Sequence, residues 1–224
     1  MAEATPPLKF IEISPRAPRA ISFTPCAMDF AHPPSDPVAE AQRWFGEAFQ
    51  LGVPNPNAMF LATSGADGAP SVRTVLLKAF DGRGAVFFTN RESDKGSQLA
   101  KNPRAQALFH WDDLGRQLRI AGAVTPLSAS EDDAYFATRP RDSQIGAWAS
   151  DQSRPLASRD VLVGRVLECA ARFEGTVVPR PPHWGGYRLA LDVIEFWQAD
   201  PFRIHERARY TRSGTGYDIT LLFP

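Results

Sequence analysis

The sequence predicts a mainly β protein with flanking helices, an α+β class whose strands run antiparallel in a barrel or meander. Three observations predict it. Apolar runs flank the turn sequences Gly65-Ala66-Asp67-Gly68, Asp81-Gly82-Arg83-Gly84 and Asp112-Asp113-Leu114-Gly115, which marks hairpins in series. The strand candidates are not separated by the regular helical crossovers that a parallel sheet requires. A hydrophobic content of 43% and a charged content of 22% over 224 residues give one domain ample core.

Residues 1–35 carry Pro6, Pro7, Pro15, Pro18, Pro25, Pro33 and Pro34 without periodicity, and are expected to form a flexible arm ahead of one domain over 36–224. Asp36 before Pro37 is a helix start, Val38, Ala41, Phe45 and Phe49 follow at helical spacing, and Gly52 ends the helix. Next come two runs joined at Gly65–Gly68, the second extending through RTVLLKAF, and then AVFFTN after the Asp81–Gly84 turn. Ser93 is placed to cap a short helix from Asp94 to Lys101, ahead of Pro103. Strands follow over 104–111 and 116–127. Ser130 with Asp133 reads as a capping box for a helix through Ala137, and RPRDSQIGAWASDQS continues as a short helix and loop. Ser158 heads an amphipathic helix through Phe173, with Val161, Leu162, Val166, Leu167 and Ala170 as its apolar face. After Pro179, Pro181 and Pro182, three strands are expected in WGGYRLALDVIEFWQA, RIHERARYTR and YDITLLF.

The formal net charge is zero, which argues against a nucleic-acid or membrane-surface binder driven by bulk electrostatics. Cys26 and Cys169 match no metal spacing, and the expectation is a reduced, cytoplasmic protein. There is no signal-peptide pattern, and no apolar run approaches the roughly 20 residues of a membrane span. His32, His110, His183 and His205 are scattered, so no metal site is expected. The dinucleotide, Walker-type, zinc-protease and nucleophile-elbow motifs are all missing.

What remains is donors on strands and at helix entrances, in four clusters. Arg73 and Lys78 sit on one strand, with Ser93 and Lys95 at the following helix N-terminus, a seat for an anionic ligand. Residues five apart on a strand point to opposite faces, so Arg73 and Lys78 either serve two groups or are brought together by a bulge. Arg139, Arg141 and Ser143 begin a second helix, and Gln152-Ser153 follows it. Trp197 precedes Arg203, His205 and Arg207, whose alternate spacing would put the last three on one face of a strand. Arg141 and Arg209 read equally well as solvated side chains. From the residues alone the protein is a small antiparallel β protein with one or two phosphate sites.

In this order the clusters resemble the pyridoxamine 5′-phosphate oxidase family, through RTVLLK, FFTN with its following S-x-K, RQLRIAG, YFATRPRDSQIGAWAS-x-QS, WGGYR, IEFWQ and RIHER, together spanning roughly 36–224. The resemblance implies an FMN-binding split β-barrel, a homodimer with FMN at the subunit interface. It places FMN contacts on Arg73, Thr74, Val75, Leu76, Leu77, Lys78, Phe88, Thr89, Ser93, Lys95, Gln117, Gln152, Ser153, Trp197 and Arg207. Arg73, Lys95 and Ser153 would grip the cofactor phosphate, and backbone groups of Val75 to Leu77 would reach the isoalloxazine edge. Substrate contacts would come from Lys78, Tyr135, Arg139 and Ser143, with Arg203 and His205 as the catalytic pair over the pyridine ring.

The implied reaction is oxidation of pyridoxine or pyridoxamine 5′-phosphate to pyridoxal 5′-phosphate, with oxygen as acceptor and hydrogen peroxide as product. The chain departs from the family pattern at Phe88 (usually tyrosine), Asp94 (often arginine) and Asn55 (commonly aspartate), in its N-terminal arm and in TLLFP near its end. Alternative readings are an FMN-dependent oxidase of reduced phenazine precursors, or a flavin- or haem-binding split barrel without oxidase turnover.

Overall fold

A computed structural model describes residues 27–224. Among them are ten strands, five α-helices and one short 3-10 turn. The helices are α1 (Pro37–Gln50), α2 (Asp94–Lys101), α3 (Ala129–Ala137), α4 (Arg141–Ala149) and α5 (Arg159–Arg172). The strands are β1 (Ala58–Ser64), β2 (Pro70–Leu76), β3 (Ala79–Asp81), β4 (Gly84–Asn90), β5 (Arg104–Trp111), β6 (Arg116–Pro126), β7 (Trp184–Leu189), β8 (Val193–Gln198), β9 (Glu206–Ser213) and β10 (Gly216–Leu221). All pairings are antiparallel.

The topology is a split β-barrel, and β6 is its hinge. The long path runs β10-β9-β8-β6-β5-β1-β2, and a branch runs β6-β7-β4-β3. The first part of β6 pairs with β8, and Val124 to Pro126 pair with β7. Strict alternation of buried and half-exposed residues along β6 fixes its register. Met59 and Leu61, Phe109 and Trp111, Leu118 and Ile120, and Ile194 and Phe196 all point into one core. Helix α1 plugs this core: Phe45 meets Phe109 at 4.9 Å and Trp44 meets Phe196 at 5.0 Å, both edge to face.

Local chemistry sets most element ends. Asp36 accepts from the Val38 and Ala39 amides, and Gly52 takes a left-handed φ of 69° just past α1. Ser93 caps α2 as its position predicts. Four expectations need correction. The capping box of α3 is Ser128 with Glu131, the S-x-x-E spacing, not Ser130 with Asp133. WGGYRLALDVIEFWQA forms two strands, broken where the Asp192 carboxylate accepts from the Ala123 amide. The apolar face of α5 is not buried, and Val161 and Leu167 are 48% and 65% exposed. The folded part also begins before Asp36: Met28 and Phe30 lie in the core, and the Pro34 carbonyl accepts from Tyr210. The rest of the expected arm, residues 1–26, lies outside the described residues.

One ion pair ties α1 to the sheet. Arg116, 2% exposed, donates to Glu47, itself 4% exposed, and lies 4.7 Å above the Trp44 ring. Glu47 also pairs with Arg43, so losing Arg116 removes one of two cations from a buried carboxylate, whereas losing the Glu47 charge uncovers the buried Arg116. Arg116→Met is expected to cost about 3 kcal/mol in urea unfolding. Adding Glu47→Gln to that variant should cost less than Glu47→Gln alone, and independent costs would refute the coupling.

Candidate functional site

Strand β2 has a pairing partner on one side among the described residues, β1, and it stops at Leu76. The chain then crosses to the second branch, where the Lys78 amide donates to the Val86 carbonyl at 2.8 Å. The strand break, not a bulge, separates the surroundings of Arg73 and Lys78. Helix α2 begins directly after β4, in a corner that only glycine fits: a Cβ on Gly96 would lie 2.1 Å from the Arg91 carbonyl oxygen. That close approach lays Lys95 against the end of β4. Helices α3 and α4 close the opposite side. Helix α3 is pinned through Asp132, which accepts from Arg91 at 2.7 Å and from the Gly186 amide at 2.7 Å.

Between these elements lies a cavity of about 700 Å³. Of the residues expected at the site, Thr74, Val75, Leu76, Lys78, Phe88, Thr89, Lys95, Gln152, Tyr135, Arg139 and Ser143 line it. Lys95 Nζ donates to Gln152 at 2.7 Å and to Thr89 at 3.2 Å, which ties the Gln152 loop to β4. Trp184, Asn90 and Thr138 also line the cavity and escaped the sequence reading as site residues. The signal for Trp184 was a glycine pair directly after it, facing Phe88 and Thr89 on β4.

Other expected residues lie outside this wall. Arg73 is half-buried beside it, donating to the Leu61 carbonyl, Thr63, Ser71 and Gln98. The Ser93 hydroxyl is engaged in capping α2 and donates to the Asn90 carbonyl. Leu77 is fully buried, and its amide and carbonyl are both bonded to Asn57, so it presents neither side chain nor amide to the cavity. Ser153 sits in the following turn with a φ of 71°.

Gln117, Trp197, Arg203, His205 and Arg207 do not line the cavity of the same chain. Gln117, Trp197 and Arg207 are direct cross-strand neighbours on β6, β8 and β9. Arg207 donates to Glu195 at 2.7 Å. That buried carboxylate also receives Arg119 and Arg209, and although burial opposes ionisation, the Arg207 and Arg209 hydrogen bonds hold it below its usual range. The expected single face for Arg203, His205 and Arg207 is not formed, because β9 starts only at Glu206. Arg203 lies instead in a turn closed on Asp200, with a left-handed φ of 69°. His205 packs on Trp197 at 4.6 Å, and its Nδ1 accepts from the Asp200 amide at 3.1 Å.

The electrostatics of the cavity set it apart. Arg73, Lys78, Lys95 and Arg139 are all held below their usual pKa, first by burial. Arg139 lowers Lys78 further, and Arg73 lowers Lys95 further. Among the described residues no carboxylate pairs directly with any of the four, and the one acidic group that acts on Arg73 and Lys95 is the exposed Asp94. Arg43, Arg83 and Arg165, each hydrogen-bonded to carboxylates, are raised instead.

Fold and cavity thus define a split β-barrel protein with a cleft where cations gather without carboxylate partners among the described residues. The profile described as pyridoxamine 5′-phosphate oxidase matches residues 45–173, and that of the pyridoxine 5′-phosphate oxidase C-terminal dimerisation region matches 184–224. The chain belongs to the pyridoxamine 5′-phosphate oxidase family. It is 52% identical over 207 residues to a pyridoxine/pyridoxamine 5′-phosphate oxidase of Burkholderia vietnamiensis, covering 91% of this chain and 96% of that one. It is 55% identical over 190 residues to one of Cupriavidus taiwanensis, covering 84% and 89%. Among solved structures, PhzG from Burkholderia lata, in complex with tetrahydrophenazine-1-carboxylic acid, superposes with a TM-score of 0.83 at 35% identity, covering 93% of this chain and 100% of that one.

Proposed function

We propose that the protein is an FMN-dependent oxidase of pyridoxine 5′-phosphate and pyridoxamine 5′-phosphate, with molecular oxygen as electron acceptor. The observation that carries this reading is a cavity lined by Lys78, Lys95 and Arg139, with Arg73 beside it, in which like charges, Arg73 toward Lys95 and Arg139 toward Lys78, act on each other. Half-buried like charges are unfavourable unless anions complete them. Two pairs suit two phosphate dianions, one of the cofactor and one of the substrate.

The donor set fits FMN. Arg73 and Lys95, with Ser153, would hold its phosphate, and the outer edge of β2 from Thr74 to Leu76 would face its ring system. The chemistry FMN supplies when bound is acceptance of hydride from the substrate C4′ carbon and return of the electrons to oxygen as hydrogen peroxide. Lys78 and Arg139, with Tyr135 and Ser143, bind the substrate phosphate and so orient the pyridine ring. Because His205 Nδ1 accepts from the Asp200 amide, the neutral imidazole carries its proton on Nε2. It therefore acts as a donor toward the substrate oxygen or amine, alongside Arg203, and not as a strong base.

The same reading assigns the residues beyond the cavity to a partner. Trp197, Arg203, His205 and Arg207 all fall within the matched dimerisation region. In a homodimer this group supplies the other protomer's cavity, so that each site is built from two chains. Phe60, Val72 and Leu76, which are 45%, 66% and 42% exposed, give the region of β1 and β2 an apolar surface for that contact.

The test is oxygen uptake by the FMN-loaded protein. Uptake with either phosphate ester, and peroxide formed in equal amount, is the expected result. Uptake only with a dihydrophenazine carboxylate would move the protein to the phenazine reaction. No uptake with either would leave a flavin carrier and refute oxidase function.

A further inference from the structure

We propose that Trp184 is a positioning residue for the substrate phosphate, acting through Arg139, an inference that rests on the reading of Lys78 and Arg139 as the substrate-side pair. The Arg139 guanidinium lies 4.9 Å from the Trp184 ring centroid and 5.4 Å from that of Phe136. Its Nη1 is buried and has no hydrogen-bond partner among the described residues. Ring faces therefore hold this cation.

The choice of a ring has a chemical consequence. A carboxylate would grip the guanidinium through its in-plane N–H groups, occupying the donors and cancelling the charge. An aromatic face attracts the flat side of the guanidinium and leaves those donors in plane and unoccupied. Trp184 thus fixes where Arg139 sits while its charge and hydrogen bonds stay available to a phosphate. Arg73, held by four neutral oxygens, shows the same avoidance of carboxylates.

Trp184 is itself held by a stack of rings. Phe88 lies parallel to it at 5.0 Å and 9°, and Tyr135 stacks on Phe88 at 4.1 Å and 18° and also faces Trp184 at 6.2 Å and 12°. Phe136 closes on Trp184 edge to face at 5.0 Å. Gly186, opposite Phe88 on the neighbouring strand, makes room: a Cβ there would fall 2.7 Å from the Phe88 ring. The phenylalanine at position 88 needs no hydroxyl in this stack. The rings link Tyr135 and Arg139, two of the proposed substrate-phosphate donors, into one wall of the cavity.

The experiment compares Trp184→Leu and Trp184→Phe in the FMN-loaded protein, with pyridoxine 5′-phosphate as substrate. Trp184→Leu is expected to raise KM about tenfold, the size of one partly desolvated cation–π contact, with kcat changed less. Trp184→Phe, which keeps a ring face, should stay within about threefold of wild type. The FMN dissociation constant, read by flavin fluorescence, should be the same in all three. In an Arg139→Met background, Trp184→Leu should add nothing to KM, which a general packing defect would not reproduce. Phe88→Leu, which removes a ring stacked on both Trp184 and Tyr135, should raise KM in the same direction and serves if Trp184→Leu fails to fold.

The inference is overturned if the wild type oxidises the ester and KM is unmoved by Trp184→Leu (or by Phe88→Leu in its place). It is overturned equally if FMN affinity falls in step with KM, or if the Arg139→Met background does not absorb the effect. A wild type that does not act on the ester refutes the functional reading, and the role of Trp184 with it.

Discussion

Lys95→Met is expected to weaken FMN binding by about two orders of magnitude, the loss of one charge-assisted contact to a phosphate from a buried side chain. Lys95 has neutral neighbours, Gln152 and Thr89, and a like charge, Arg73, so little in the protein competes for it. Its pH dependence follows from the direction of its shift. Burial and Arg73 hold its pKa below 10.5 in the unliganded protein, so the folded chain binds that proton less tightly than the unfolded one. The resulting penalty on folding is fully present below the lowered pKa and is relieved as pH rises toward the unfolded value. A bound dianion reverses the sign by favouring the protonated amine. FMN should therefore raise the melting temperature most at neutral pH, with affinity declining as pH climbs through the lowered pKa. Lys95→Arg, which stays charged, should carry tight binding to higher pH than wild type. Fluorescence titrations at several pH values decide the matter, and an identical pH profile for Lys95→Arg would exclude Lys95 as the titrating group.

The fold was legible in the sequence where punctuation was local. Asp36 with Pro37, Ser93 ahead of Asp94, and the turn after Trp111 placed α1, α2, β5 and β6 because a cap or turn depends on a few adjacent residues. Reading failed where the deciding partner was distant. Nothing near Asp192 announces that its carboxylate serves the Ala123 amide on β6 and interrupts the strand. Alternation in RIHER mimics a strand, yet Asp200 folds that stretch into a turn before β9 can begin. At the candidate site, the cations and hydroxyls of the cavity were legible as residue types on likely elements. Their grouping into two pairs was not, since it depends on the break after Leu76 and on how α3 docks through Asp132. The role of Trp184 was hidden for the same reason: its partners, Phe88 and Arg139, lie 96 and 45 positions away in the chain.

Arg203→Ala is expected to lower turnover at least about a hundredfold with FMN retained, because it removes a cation that the proposed function places where charge develops on the substrate. Unchanged turnover would end that assignment. The left-handed φ of 69° at Arg203 is unfavourable for a residue with a side chain, and the Asp200 turn imposes it. Such a conformation suits a group aimed outward, as a contribution to a neighbouring chain requires. The two-chain site makes a sharper prediction when Arg203→Ala is combined with Lys95→Met, which disables the cavity. Each variant alone is inactive in both sites of its homodimer. In a mixed dimer, the intact Lys95 cavity belongs to the chain carrying Arg203→Ala, and the intact Arg203 belongs to its partner. If Arg203 serves the partner's cavity, one of the two sites regains every wild-type residue, while the other carries both defects. Random reassociation of equal amounts should then restore about one quarter of wild-type activity, half the dimers being mixed and each having one working site. If Arg203 served the cavity of its own chain, every site in the mixture would hold one defect and no activity would return. The recovered fraction therefore measures which chain supplies Arg203, independently of how much that residue contributes to the rate.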